Sequence, residues 1–113
     1  MAEAKFRCGL EAALKVVGGK WKVLILWNLE NPARFGELKR FVSGISEKVL
    51  IQQLRELEAD GIVNRKDFQE VPPRVEYSLT PFGKSLKKAL SPLCDWGKKH
   101  MNRIGELPSS CQK

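Results

Sequence analysis

The segment from Val42 to Gly61 constrains this chain more than any other. Val42-Ser43-Gly44-Ile45-Ser46 supplies a glycine turn, one apolar residue to bury and a serine suited to cap a helix. Glu47 then stands where the helix dipole favours an acidic side chain. Leu50, Leu54 and Leu57 recur at four and three residues, the spacing of one buried helical stripe. Gly61 can adopt the left-handed conformation that ends such a helix, so the pattern predicts a helix from about Glu47 to Asp60 entered through a tight turn.

What flanks this segment narrows the fold further. Upstream, Phe35, Leu38, Phe41 and Val42 repeat at helical spacing after Pro32, which closes an earlier helix. That earlier part reads as two helices, Leu10 to Val17 and Lys22 to Leu29, separated by Gly18-Gly19. Downstream of Gly61 the period changes, because residues 62–68 and 74–79 are β-type runs joined by a tip containing Pro72-Pro73. Thr80-Pro81 places a capping hydroxyl ahead of a proline at the first helical position. The helical stretch that follows carries Leu86, Leu90, Leu93, Met101 and Ile104 largely on one side, and Pro92 is expected to kink or divide it.

The 113 residues suit one compact domain over 1–113, with an ordered core from 8 to 104 and a flexible tail from 105 to 113. The expected class is mainly α with a small β-hairpin: helix, glycine turn, helix, then a basic hairpin, the outline of a winged helix-turn-helix. In that outline the second helix of the pair enters the major groove of DNA. With the leucine stripe inward, a step of about 100° per residue puts Lys48, Gln52 and Arg55 on the opposite side and Val49 and Gln53 on a flank. Lysine and arginine donate to guanine, glutamine pairs with adenine, and Val49 suits a thymine methyl. Ser46, at the start of the helix, joins this candidate DNA-binding set. Arg65, Lys66, Pro73 and Arg74 of the hairpin complete it as a wing that presents cations to phosphates. The alternatives are an ordinary solvated helix face and a hairpin whose charges protect a sheet edge.

Charge agrees with a polyanionic partner: 20 Lys and Arg against 13 Asp and Glu leave a formal +7. The longest apolar stretch, Val23 to Trp27, is too short to span a bilayer, and Met1-Ala2-Glu3-Ala4 has no secretion-signal character, so a cytoplasmic location is expected. Cys8, Cys94 and Cys111 are widely spread, which suggests reduced thiols rather than a disulfide framework. No C-x-x-C pair exists and the single histidine, His100, follows Cys94 at the wrong spacing for zinc, so neither metal nor cofactor is expected. Catalysis is not expected either, since nothing resembles a converging acid-base pair or a phosphate-cradling loop. A rival remains within the same fold, namely an RNA-binding or protein-interaction module without operator specificity.

Several stretches together resemble the HxlR-type transcriptional regulators, winged helix-turn-helix homodimers related to the MarR group. They are Gly18-Gly19-Lys20-Trp21, Arg34-Phe35-x-Glu37-Leu38, Ile45-Ser46-x-Lys48-Val49-Leu50, Leu54-Arg55-Glu56-Leu57-Glu58-x-Asp60-Gly61, Pro72-Pro73-x-Val75-Glu76-Tyr77-Ser78-Leu79-Thr80 and Trp96-Gly97. The resemblance implies control of transcription, most simply repression, by a homodimer on a pseudo-palindromic operator. It also implies a dimer interface built from the first and last helices, here Leu10, Trp21, Leu86, Leu90, Leu93, Trp96 and Met101. Independently, the stripe of Leu86, Leu90, Leu93, Trp96 and Met101 is more apolar surface than one small domain easily covers, although packing within one chain is the alternative. Cys8 falls where several such regulators sense oxidants or electrophiles, and nearby Lys5 and Arg7 would favour its thiolate. Gly9 departs from the proline common after that cysteine, and an inert thiol is the alternative; no particular effector is implied.

Overall fold

The computed structural model of the protein describes residues 6–106. Gly18 and Gly19, with φ of 35° and 83°, separate α1 (Gly9–Val17) from α2 (Lys20–Trp27). The second helix therefore begins and ends about two residues earlier than its apolar pattern predicts. α3 (Phe35–Phe41) opens where the Glu37 carboxylate accepts a 2.8 Å hydrogen bond from the Arg34 backbone N–H. The turn after it passes through Gly44 at φ 88°, a left-handed conformation that costs glycine little. Ser46 Oγ then accepts from Val49 N–H at 3.1 Å and starts α4 (Glu47–Ala59), as its sequence position predicts. Gly61, at φ 77°, closes the helix and turns the chain into β1.

β1 (Val63–Asp67) and β2 (Val75–Leu79) form an antiparallel hairpin whose register runs from Val63 opposite Leu79 to Asp67 opposite Val75. The ladder gains an addition that composition does not foretell. Ala33 pairs with Tyr77 through two backbone hydrogen bonds, Ala33 N–H to Tyr77 O at 2.9 Å and Tyr77 N–H to Ala33 O at 2.8 Å. This bridge anchors the start of α3 to the hairpin.

The core joins these elements. Ile25 and Leu26 of α2, Leu38 of α3, Leu50, Leu54 and Leu57 of α4, Ile62, and Val63 of β1 are all buried, with Val42 and Ile45 filling the turn. α4 thus packs between α2 and β1 with its leucine ridge wholly inward.

α5 (Pro81–Lys99) starts from a hydroxyl with two roles: Thr80 Oγ1 accepts from Gly83 N–H at 2.9 Å and donates to Gly61 O at 2.5 Å. Gly83 is needed there by close approach, since a Cβ would lie 2.2 Å from Ile62 O. Pro92 lies inside α5 without dividing it, so of the two outcomes expected, a kink or a division, the division does not occur. The break comes at His100, before α6 (Met101–Gly105). A proline removes one backbone donor, and the rest of this long helix continues on either side of it. At the actual break the His100 ring stacks on Trp96 at 4.7 Å, and its Nδ1 donates to Trp96 O at 2.8 Å. Of the tail expected over 105–113, Gly105 ends α6 and Glu106 caps it, so α6 runs one residue past the expected ordered core; residues 107–113, with Cys111, lie outside the described residues, as do Met1 to Lys5.

Candidate nucleic-acid interface

Because Leu50, Leu54 and Leu57 are buried, α4 turns Lys48, Gln52 and Arg55 outward, all three exposed. Neither Lys48 nor Arg55 has a carboxylate within ionic reach among the described residues. Gln52 is held more closely: its Nε2 donates to Glu56 Oε2 at 3.4 Å, and Glu56 Oε1 lies 2.7 Å from Lys22 Nζ of α2. The Lys22 ammonium, by hydrogen bond and by charge, holds the Glu56 carboxyl below the ordinary value of 4.5. This series of contacts ties the outward face of α4 to α2 and leaves Lys48 and Arg55 without an ionic partner among the described residues.

The flank is less uniform than the helical wheel suggests. Val49 and Gln53 are half-buried, and Val49 packs against the core, which leaves it little surface for a base. Ile51 is 37% exposed on the other flank, toward the hairpin. The helical wheel singled out Val49 for apolar contact and passed over Ile51, since both stand about 100° from the ridge and the wheel does not say which flank the core covers. The signal for Ile51 was that offset. Ser46 is exposed, with its hydroxyl engaged in the cap.

Alternation along β1 puts Arg65 on the same side as buried Val63, opposite Tyr77 in the register. Arg65 and Tyr77 from the hairpin, with Ile51, Arg55 and Glu58 from α4, line a cleft of about 460 Å³ between the two elements. Lys66 and Arg74 belong to the other side, both over the Phe68 ring, with Lys66 Nζ at 4.6 Å and Arg74 Cζ at 3.8 Å from its centroid. Arg74 is committed within the hairpin. Its Nη1 is 3.5 Å from Glu70 and its buried Nε is 3.4 Å from Glu76, where poor alignment leaves that N–H without a hydrogen bond. Arg65 and Lys66 are exposed and have no such partner among the described residues, and Pro73 is exposed at the tip.

The apolar residues assigned to a subunit interface divide into two sets. Trp21, Leu86 and Leu90 pack against the protein's own core. Leu10, Leu93, Trp96 and Met101 stand 69%, 63%, 55% and 67% exposed. Cys8 is exposed immediately before α1, while Cys94 is partly buried on α5. The charge expected to act on Cys8 is partly diverted, since Arg7 Nε lies 3.3 Å from Glu11 Oε1.

Two helices joined by a glycine turn, the second with its polar face free and a β-hairpin beside it, define a winged helix-turn-helix. The chain belongs to the HxlR-like helix-turn-helix family, whose model matches residues 16–105. It is 50% identical over 105 residues to the uncharacterized HTH-type transcriptional regulator YtcD of Bacillus subtilis (strain 168), covering 92% of this chain and 83% of that one. Among solved structures it is similar to the redox regulator HypR. The reduced form superposes with a TM-score of 0.82 at 40% identity, covering 88% of this chain and all of that chain. The oxidized form gives 0.76 at 44% identity, covering 81% and 96%. The protein is accordingly a transcriptional regulator of helix-turn-helix type and not an enzyme. No described helix is long and apolar enough to cross a membrane.

Proposed function

We propose that the chain is a single-domain protein that binds double-stranded DNA sequence-specifically as a homodimer on a pseudo-palindromic operator. The observation that carries this reading is the outward face of α4, where Lys48 and Arg55 have no ionic partner among the described residues and Gln52, held by Glu56, is exposed beside them, opposite a fully buried leucine ridge. Their donors and acceptors match the major-groove edges of guanine and adenine. Arg65 and Lys66 add backbone contacts from the wing, with Pro73 shaping its tip. Arg74 orders the wing through Phe68, Glu70 and Glu76 and contributes to phosphate binding only indirectly.

The uncovered residues Leu10, Leu93, Trp96 and Met101 join two subunits, and the two α4 helices then enter successive major grooves about 34 Å apart. A dimer seated in two grooves occludes that stretch of duplex, so the regulatory outcome is repression. Cys8, exposed at the start of α1, is the site through which an oxidant or electrophile releases the operator; the similarity to HypR supports this role.

The test is binding of duplexes across a range of salt. Affinity should fall steeply as salt rises, because lysine and arginine displace condensed counterions. Gln52→Ala should relax sequence preference, while Lys66→Ala should weaken all duplexes alike and lower the salt slope by about one. Equal binding of single-stranded RNA, or an unchanged preference in Gln52→Ala, would overturn operator reading by α4. For the thiol, operator release by hypochlorite is compared in wild type and Cys8→Ser, and identical responses would remove the sensing role.

A further inference from the structure

The reading face contains one side chain whose chemistry does not match its surroundings. Lys48, Gln52 and Arg55 are polar and exposed, as a surface that meets either water or base edges requires. Ile51 lies among them and is 37% exposed, although its neighbours Leu50 and Leu54 on the same helix are buried. It does not fill a hole in the core, and it forms a ridge between two open clefts. One, about 460 Å³, is shared with Arg55, Glu58, Arg65 and Tyr77; the other, about 420 Å³, with Lys48, Gln52, Arg55 and Glu56. Val49, the residue chosen from sequence for apolar contact, packs against the core on the opposite flank.

We infer that Ile51 is a specificity-determining residue that packs against the 5-methyl group of a thymine in the major groove. The inference rests on base reading by α4 and deepens it. Thymine is the one base that presents an apolar group there, and an apolar side chain that reaches it is the partner such a group takes. The position of that thymine follows from helix geometry. Ile51 and Arg55 are one turn apart, with Cβ atoms separated by about 5–6 Å. Bases rise about 3.4 Å along a strand, so the thymine lies within two base pairs of the base that Arg55 contacts.

The inference is separable from the reading beneath it. A duplex is first enriched from a random-sequence library by the wild-type protein, and each thymine in it is then replaced in turn by deoxyuridine, which deletes only the methyl group. Wild type should lose about fourfold in affinity at one thymine of each half-site, and about fifteenfold when both are replaced, the effect of one buried methyl group per subunit. Ile51→Ala should bind the thymine and uracil duplexes equally, whereas Ile51→Val, which keeps the branched end, should retain most of the discrimination. A residue that only shaped the helix would weaken both duplexes and preserve their ratio, so the double-mutant comparison isolates the contact. Wild-type indifference to every thymine replacement, or undiminished discrimination in Ile51→Ala, would overturn the role of Ile51 alone. Failure to enrich any duplex would instead overturn base reading by α4.

Discussion

Helices α4 and α5 are both amphipathic, and the chain treats their apolar faces differently. In α4 the leucines at 50, 54 and 57 are buried by α2, β1 and the turn residues, so the polar face is all that remains available. In α5 the stripe divides along its length. Leu86 and Leu90 pack against the core, while Leu93 and Trp96 stay more than half exposed and Met101 continues that surface on α6. An amphipathic helix offers a partner whichever half its own chain leaves uncovered. By that measure α4 is built to meet a polar, charged ligand and the distal part of α5 to meet another apolar surface.

The sharpest way to break this contrast is to truncate one leucine on each helix. Leu54→Ala should cost about 2–5 kcal/mol of folding stability in a denaturant titration, because it empties a position in a closed core. Leu93→Ala should change monomer stability by less than about 0.5 kcal/mol, as exposed positions do. Equal losses that do not change with protein concentration would mean that the distal stripe of α5 is core after all.

Next in size is the subunit contact. Trp96→Ala should raise the dimer dissociation constant by about thirtyfold or more in sedimentation equilibrium, the effect of losing a central aromatic anchor. An unchanged association constant would place the interface elsewhere. The same variant should keep the native far-ultraviolet circular dichroism, since among the described residues Trp96 stacks on His100 alone.

The smallest expected effect lies in the ion pair that links α4 to α2. Glu56 has its pKa lowered by Lys22, so the pair stabilises the fold above the ordinary carboxylate value of 4.5 and that contribution is lost as pH falls through the lower folded-state value. Glu56→Gln should therefore have a slightly lower denaturation midpoint than wild type at neutral pH. The difference should vanish at strongly acidic pH, and a difference that persisted or grew there would contradict the pairing. Both groups have access to water, which keeps the effect small and salt-sensitive.

Legibility followed the range of the interactions. The Ser46 cap, the Gly61 stop, the Thr80-Pro81 start and the inward leucines of α4 each depend on residues within one or two turns, and all were readable. The wing strands were readable as well, because their period of two differs from that of a helix. Three features were not. The Ala33–Tyr77 bridge joins segments 44 positions apart, and no local pattern at Ala33 announces a strand partner. The capture of Arg74 by Phe68, Glu70 and Glu76 depends on how the hairpin tip folds back. Gly83 looks like a weak point in a helix until Ile62 O is seen beneath it.

What the sequence determined by itself is the succession of elements and the inward and outward halves of α4. Those follow from side-chain periodicity and from caps whose donors and acceptors lie a few residues apart. Only the tertiary structure decided which part of each apolar face is covered: Val49 against the core, Ile51 uncovered beside the wing, Leu86 and Leu90 covered, Leu93 and Trp96 uncovered. The physical reason is that periodicity sets the direction in which a side chain points, whereas burial depends on whether another segment of chain occupies the space it points into.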